Sequence, residues 1–443
     1  MSDWTAMTAA RLNDAIEAGR ADPRDITEAF LTAIGAHDPD FQIYAQATAD
    51  RARQEADMAS ARAKSGTRRS PLDGVPVSWK DLVDTQGTPS ESGTQLLKGR
   101  TPDADAAILS NATQAGAVCL GKTHQTEFAF SGLGLNPKTA TPPNKLMPGH
   151  VPGGSSSGAA ASLTHDLAAI AIGSDTGGSV RIPACWNNLV GLKVTHGRLS
   201  NDGLVPLCPG FDTPGPLART VEDCALAFAA LAGERYRAPE AIGISSLRLF
   251  IPETMIRDDS DPTVLGAFDA TVEKLKQAGA HVSSGPMLEL VDVMPLGPDL
   301  FPFEAWQSWG ELIEKCGERM FPPVRERFEQ GKNVPRNQYD AAWKKLGEIR
   351  TRHLKRFSDY DAIITPAVAI LPPEIAKLEA DHGYFTERNL MALRNTRFFN
   401  MLGNCALTLP LPQTACGIQI VAAPNSEEKL LSMGLALENT VAS

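Results

Sequence analysis

Two glycine–serine runs constrain this chain more than any other feature: Gly153-Gly154-Ser155-Ser156-Ser157-Gly158 and Gly173-Ser174-Asp175-Thr176-Gly177-Gly178-Ser179. Either run alone reads as a flexible connector. Here, however, Ser155 and Ser179 stand 24 residues apart, and the chain between the runs reads as a short helix over 159–165 and an apolar strand over 168–172. Glycines ahead of a serine let successive backbone N–H groups converge on one point, a concave set of donors able to hold an oxyanion. A serine closing that set is placed to attack the carbonyl whose oxygen the donors hold.

A nucleophilic serine needs a base. The eight histidines (37, 124, 150, 165, 196, 281, 353 and 382) lie in no triad context, and His124 and His196, nearest the loops in sequence, read as structural. Lys80 is the better candidate because it closes the apolar strand Val75-Pro76-Val77-Ser78-Trp79. Desolvation there would lower its pKa, and a neutral lysine is a general base. A solvated lysine at a strand end is the competing reading. Gly116-Ala117-Val118-Cys119-Leu120-Gly121-Lys122-Thr123 matches the phosphate-loop pattern letter for letter. That motif requires a strand before the first glycine and a helix after the lysine. Here a helix over 104–115 comes first and 117–121 reads as strand, so nucleotide binding is rejected.

Elsewhere, strand and helix patterns alternate. Residues 5–64 read as helices, with Ala9, Leu12, Ile16 and Ile26, Phe30, Ile34 at helical spacing and an Ala-rich helix over 44–63. Residues 131–158 read as loop, 247–251, 361–365 and 417–421 as strands, and 262–278 and 336–357 as amphipathic helices. This favours the α/β class, one unit with a mixed, mostly parallel sheet covered by helices. No repeat or linker divides the 443 residues.

A net charge of −10 argues against a nucleic-acid partner, which calls for excess Lys and Arg. No run of about 18 apolar residues predicts a membrane span, and the N-terminal stretch lacks the charged start and apolar core of a signal peptide. The seven cysteines are scattered and never paired as Cys-x-x-Cys, which suits reduced thiols, a cytoplasmic location and no zinc cluster.

The stretch 71–231 resembles the core of the amidase signature family. The matching segments stand in order: GVPVSWKD (74–81), GKTHQTEFAFSG (121–132), VPGGSSSGAAAS (151–162), GSDTGGSVRIPA (173–184), VGLKVTHGRLS (190–200) and FDTPGPLARTVEDCA (211–225), with weaker echoes to GIQIVAAPNSEEKLL (417–431). The resemblance implies a single α/β/α domain, 1–443, divided into N-terminal helices (1–64), a signature core (65–235) and a variable half that shapes the pocket (236–443). It implies amide hydrolysis by a triad of Ser179 as nucleophile, Ser155 as relay after a cis Gly154–Ser155 peptide, and Lys80 as base. The oxyanion hole would be the N–H groups of Thr176, Gly177, Gly178 and Ser179, with no metal and no organic cofactor. The chain departs from the family pattern at Leu82, at Cys185-Trp186-Asn187-Asn188 and at Val194, and none of these removes a triad member.

Three functional readings compete: a free-standing amidase acting on a small-molecule amide or related C–N acyl bond, the glutaminase A subunit of a tRNA-dependent amidotransferase, and a non-catalytic scaffold. The stretch Met391-Ala392-Leu393-Arg394-Asn395-Thr396-Arg397 lacks the acidic residue that a glutamine site calls for, and an intact Lys80, Ser155 and Ser179 argue against a scaffold. Substrate contacts are expected from Ser131, Gly132, Trp186, Trp306 and Tyr384. For Trp186, core packing stands as the alternative; for Trp306, with Trp309 at i, i+3, it is the buried face of a helix. Phe301, Phe303 and Phe385 complete a possible aromatic wall, suited to an apolar acyl group. A homodimer is left open.

Overall fold

Strands covered on both faces are buried at every position, and seven segments of this chain are buried along their whole length, three of them enclosing a lysine (Lys80, Lys122 and Lys193). The computed structural model describes residues 4–411 and 414–442. Residues 1–3 of the N-terminal stretch lie outside the described residues. Among the described residues eleven strands form one sheet. They are β1 (Tyr44–Ala47), β2 (Pro76–Lys80), β3 (Val118–Thr123), β4 (Ile170–Ser174), β5 (Val190–Lys193), β6 (Pro214–Ala218), β7 (Arg248–Pro252), β8 (His281–Gly285), β9 (Ala362–Pro366), β10 (Cys405–Pro410) and β11 (Gly417–Ala422). The spatial order is β1-β3-β2-β4-β6-β5-β10-β11-β9-β7-β8.

The sheet is mixed, as expected, but it is not mostly parallel. Six neighbouring pairs are antiparallel, and only β3–β2, β2–β4, β9–β7 and β7–β8 run parallel. Strands β5 and β6, like β10 and β11, pair directly with their neighbours in the chain, which dispenses with the crossover helix that parallel pairing demands. The hydrophobic pattern registered none of β1, β5, β6 and β10, and these four take part in five of the six antiparallel pairings. Residues 44–47 are a second correction. The buried Asp38 carboxylate accepts the N–H groups of Gln42, Ile43 and Tyr44 at 2.7, 3.0 and 2.8 Å, which pulls the chain out of helical geometry. The segment then runs antiparallel to β3, and the helix begins only at Ala49.

The remaining elements follow their local chemistry. Helices Pro23–His37 and Pro262–Gln277 start on Asp22 and Asp261, each accepting an N–H of the first turn, with proline in that turn. Helix Ala107–Ala115 ends on Gly116 at φ +96°, where a Cβ would lie 2.4 Å from Asp73 Oδ1. Gly121-Lys122-Thr123 then lies inside β3 rather than in a loop. The buried Lys122 Nζ donates to Ser90 Oγ at 2.7 Å and sits 3.7 Å from Asp81 Oδ1, a structural lysine with no room for phosphate. Among the described residues no helix is long and apolar enough to cross a membrane, and all seven cysteines are unpaired. Strands β2 and β4 lie side by side in parallel register, Val77 opposite Ile170 and Trp79 opposite Ile172. Their C-terminal ends, Lys80 and Ser174, therefore emerge together at one edge of the sheet, where open α/β sheets carry their sites.

Candidate active site

The two-residue period of β2 places Ser78 and Lys80 on one face and Trp79 on the other. Ser78 Oγ lies 2.9 Å from Ser162 Oγ of helix Ser157–Thr164, which covers that face. Lys80 therefore points at the loop leading into this helix. Its Nζ lies 2.7 Å from Ser155 Oγ and 2.8 Å from Ser174 Oγ, with all three residues buried. Among the described residues no carboxylate pairs with Lys80. Burial pushes its pKa down to about 7, against the pull of the Asp175 and Asp212 carboxylates. The Gly154–Ser155 peptide is cis. A Cβ on Gly154 would lie 2.6 Å from Gly134 N and 2.7 Å from Thr126 Oγ1, so that position is closed to any side chain.

The second loop is stitched to the first. Ser156 N–H donates to the Ser179 carbonyl at 3.3 Å, and Ser156 Oγ bonds both the carbonyl and the N–H of Ser174, each at 3.2 Å. The buried Asp175 carboxylate organises the turn. It pairs with Arg181 at 2.9 Å, accepts Gly178 N–H at 2.8 Å and Val180 N–H at 3.2 Å, and takes Asn400 Nδ2 at 2.8 Å. Burial alone would raise its pKa, but the Arg181 guanidinium overrides this and holds the carboxyl well below the usual range. Arg181 is therefore an anchor of the loop. One expected oxyanion donor is thereby spent: Gly178 N–H belongs to Asp175, because a buried carboxylate gathers the nearest donors. The amides of Thr176, Gly177 and Ser179 have no acceptor among the described residues. Gly178 itself stands at φ +134°, and a Cβ there would lie 2.1 Å from Thr396 Oγ1.

Ser179 opens onto a cavity of about 30 Å³, whose walls include Ser131, Thr176, Gly177 and Phe301. Ala129, Thr176 and Leu207 also line an adjoining cavity of about 270 Å³, which runs past Ser174 and Asp212. Larger hollows exist, such as one of about 710 Å³ around Arg68 and Tyr236, but they hold neither the serines nor Lys80. Asn389 Oδ1 fixes the Ser131–Gly132 turn, accepting from Ser131 Oγ at 3.1 Å and Gly132 N at 2.8 Å. Ser131 thus reaches the cavity, while Gly132 only shapes the turn behind it.

The other expected substrate contacts lie elsewhere. Trp186 is fully buried, donates Nε1–H to the Ile370 carbonyl at 3.1 Å and packs beside Gly153, so it is core. Trp306 lies under the Lys332 ammonium and against Gly310 of its own helix. Tyr384 faces a surface hollow with His150 and Arg388. Of the proposed aromatic wall only Phe301 lines the cavity; Phe303 stacks on Tyr339 and Phe385 meets Phe321 edge to face. Residue-by-residue reading missed Ser174, although it ends β4 one place before Asp175. It also missed Arg327 and Arg397 as cavity walls, for which the sequence carries no local signal.

Comparison with known proteins places the chain among relatives of one family. A model of the family described as Amidase matches residues 25–431. A 2-amino-5-chloromuconic acid deaminase from Comamonas testosteroni is 35% identical, the match spanning 98% of this chain and 96% of that one. The A subunit of the glutamyl-tRNA(Gln) amidotransferase of Symbiobacterium thermophilum is 30% identical over 98% of this chain and 96% of its own length. Among solved structures, an amidase superposes with a TM-score of 0.89 at 28% identity, covering 98% of this chain and 100% of that one. A 6-aminohexanoate cyclic dimer hydrolase gives 0.87 at 26% identity, covering 100% and 98%.

Proposed function

The chain belongs to the amidase family and is a hydrolase of C–N bonds, and from that premise we propose that it cleaves a carboxamide through a seryl acyl-enzyme, with Ser179 as nucleophile, Ser155 as relay and Lys80 as base. The observation that carries this reading is the buried Lys80, with no carboxylate partner and its Nζ 2.7 Å from Ser155 Oγ. Neutral Lys80 takes the Ser155 proton as Ser155 takes that of Ser179, and Ser179 Oγ attacks the carbonyl. The amides of Thr176, Gly177 and Ser179 stabilise the oxyanion. The proton returns by the same path to the leaving amine. Water then attacks the ester with the roles reversed, releasing a carboxylate.

The name of the Comamonas relative describes loss of an amino group from an acid, and that of the Symbiobacterium relative an amidotransferase; both names concern a bond to nitrogen. A free-standing enzyme is the better-supported of the two settings. Leu393 and Arg397, from the stretch where an acidic residue would be sought, line the cavity at Ser179, and among the described residues no carboxylate shares that wall to meet an amino acid's ammonium group. Seven unpaired cysteines support a reducing, cytoplasmic compartment.

A serine-directed fluorophosphonate tests the reading. One adduct is expected, on the peptide that contains Ser179, and Ser179→Ala abolishes both the adduct and ammonia release from amides. Labelling that survives in Ser179→Ala moves the nucleophile elsewhere.

A further inference from the structure

We propose that Arg327 and Arg397 form a carboxylate subsite beside Ser179, and that the substrate is the monoamide of a short dicarboxylic acid, held by its free carboxylate; this rests on the hydrolase reading above. The two arginines come from helices Pro322–Lys332 and His382–Met401 and meet in the walls of the cavity onto which Ser179 opens. Neither has a hydrogen-bond acceptor or an ion pair among the described residues, and the Nε of each is buried without a partner. Several other interior arginines do have acceptors: Arg181 pairs with Asp175, Arg62 with Asp73, and Arg51 with Glu55 and Asp105, while Arg394 donates to Ser260 Oγ and the Ile256 carbonyl. The carboxylate of the adjoining cavity does not serve them, since Asp212 is occupied by Thr176 Oγ1 at 2.6 Å and by the amides of Leu207 and Cys208.

Two half-buried guanidiniums placed together, with no anion beside them among the described residues, repel each other, a cost that packing alone does not explain. Burial, and for Arg327 also the like charge of Arg397, push both pKa values down to about 10, which leaves both cationic at neutral pH. The geometry of each is set by apolar contacts that leave the donor edges unused. The Arg327 guanidinium lies 4.4 Å over the Phe130 ring. The Arg397 stem passes the oxyanion loop, its Cγ 3.9 Å from where a Cβ on Gly177 would stand. A planar fork of donors matches a flat carboxylate. Leu207, Phe301 and Leu393 of the same wall suit the methylenes between the two ends of a short diacid.

The carboxylate belongs to the acyl half, because the arginines share a wall with Thr176 and Gly177, whose amides face the attacked carbonyl. The leaving amine is then directed to the larger cavity. Hydrolysis balances as monoamide plus water giving dicarboxylate plus ammonium (or the amine), so the pair of cations meets one negative charge on entry and two on completion. Free glutamine carries an ammonium beside its carboxylate, which offsets the attraction of the same pair.

The test compares succinamic, glutaramic and adipamic acids with butanamide, pentanamide and hexanamide as matched neutral partners. The native enzyme is expected to favour one acid over its neutral partner in kcat/KM by on the order of 100-fold, and Arg327→Gln and Arg397→Gln each to erase most of that ratio, chiefly through KM. On Ser179→Ala protein, calorimetry is expected to detect binding of the matching dicarboxylate, lost when either arginine is also replaced. Thermal unfolding separates a structural role from a binding one: removing a half-buried charge that has no partner leaves Tm unchanged or raises it. Preference for the neutral amides, an unaltered ratio in both variants, or a fall in Tm with dicarboxylate binding intact would overturn the subsite. Fluorophosphonate labelling reports on the hydrolase reading independently. Labelled Ser179 without dicarboxylate binding defeats the subsite alone; dicarboxylate binding without labelling defeats the nucleophile assignment alone.

Discussion

The pKa of Lys80 couples catalysis to stability, and both sides can be measured. Burial lowers it from 10.5 to about 7. At pH 7 about half of the folded molecules then hold a neutral base, against roughly 3 in 10,000 for a free lysine, a gain on the order of 1,000-fold in competent enzyme. The rate on a good amide is therefore expected to fall tenfold per pH unit below about 6 and to level off above 8. The stability sign is the opposite of that for a salt-bridged lysine. The unfolded chain keeps its Lys80 proton up to pH 10.5 while the folded one loses it near 7, so between these values the unfolded state binds more protons and folding stability rises with pH. A fall from 10.5 to about 7 corresponds to at most about 5 kcal/mol, a cost fully present below pH 7 and relieved by pH 10.5. Lys80→Met removes both effects at similar volume: activity falls by a factor on the order of 100 to 10,000 and the acid limb disappears. In urea titrations at pH 6 and pH 9, the variant's stability advantage is larger at pH 6. An advantage that grows with pH, or a native acid limb centred above pH 9, refutes a buried neutral lysine.

Two further substitutions separate relay from scaffold. Ser155→Ala leaves no hydroxyl between Lys80 and Ser179 and is expected to cut kcat on folded protein by roughly 100-fold or more. Ser156→Ala instead removes both bonds to Ser174, so it lowers the urea midpoint by the equivalent of about 1–3 kcal/mol while the pH–rate profile keeps its shape. Gly178→Ala combines an unfavourable φ of +134° with a Cβ 2.1 Å from Thr396 Oγ1. It is expected to destabilise by at least about 2 kcal/mol, seen as a lower Tm, and Thr396→Ala in the same chain recovers only part of it because the backbone conformation remains.

The parts of this molecule that could be read from the chain are those whose chemistry is local. The helix caps, the apolar strands β2 and β4 and the two glycine loops each carry their reason within a few residues, and so do Lys80, Ser155 and Ser179. The antiparallel strands were illegible for a physical reason: β5 spans only Val190–Lys193 and β6 is Pro-Gly-Pro-Leu-Ala, so neither shows a period, and their place in the sheet comes from partners far away in sequence. Position 44–47 misled because Asp38, six residues before Tyr44, competes for the amides that a helix would use. Arg327 and Arg397 mark the limit most sharply. Arg327 sits in the helix sequence PPVRERFEQGK beside Arg325, which forms an ordinary surface pair with Glu329 at 3.3 Å. Arg397 sits three residues after Arg394, whose guanidinium is spent on Ser260 Oγ and the Ile256 carbonyl. Nothing in either neighbourhood tells the paired arginine from the unpaired one. The difference arises only when two helices and the Ala129–Ser131 turn close around Ser179 and leave two cations facing a small cavity with no ion-pair partner among the described residues. The proposed subsite is thus defined by what the fold leaves unsatisfied, whereas Lys80, Ser155 and Ser179 are legible because each sits in a short segment, a strand end or a glycine loop, whose chemistry is local even though the fold brings the three together from 75 and 24 residues apart.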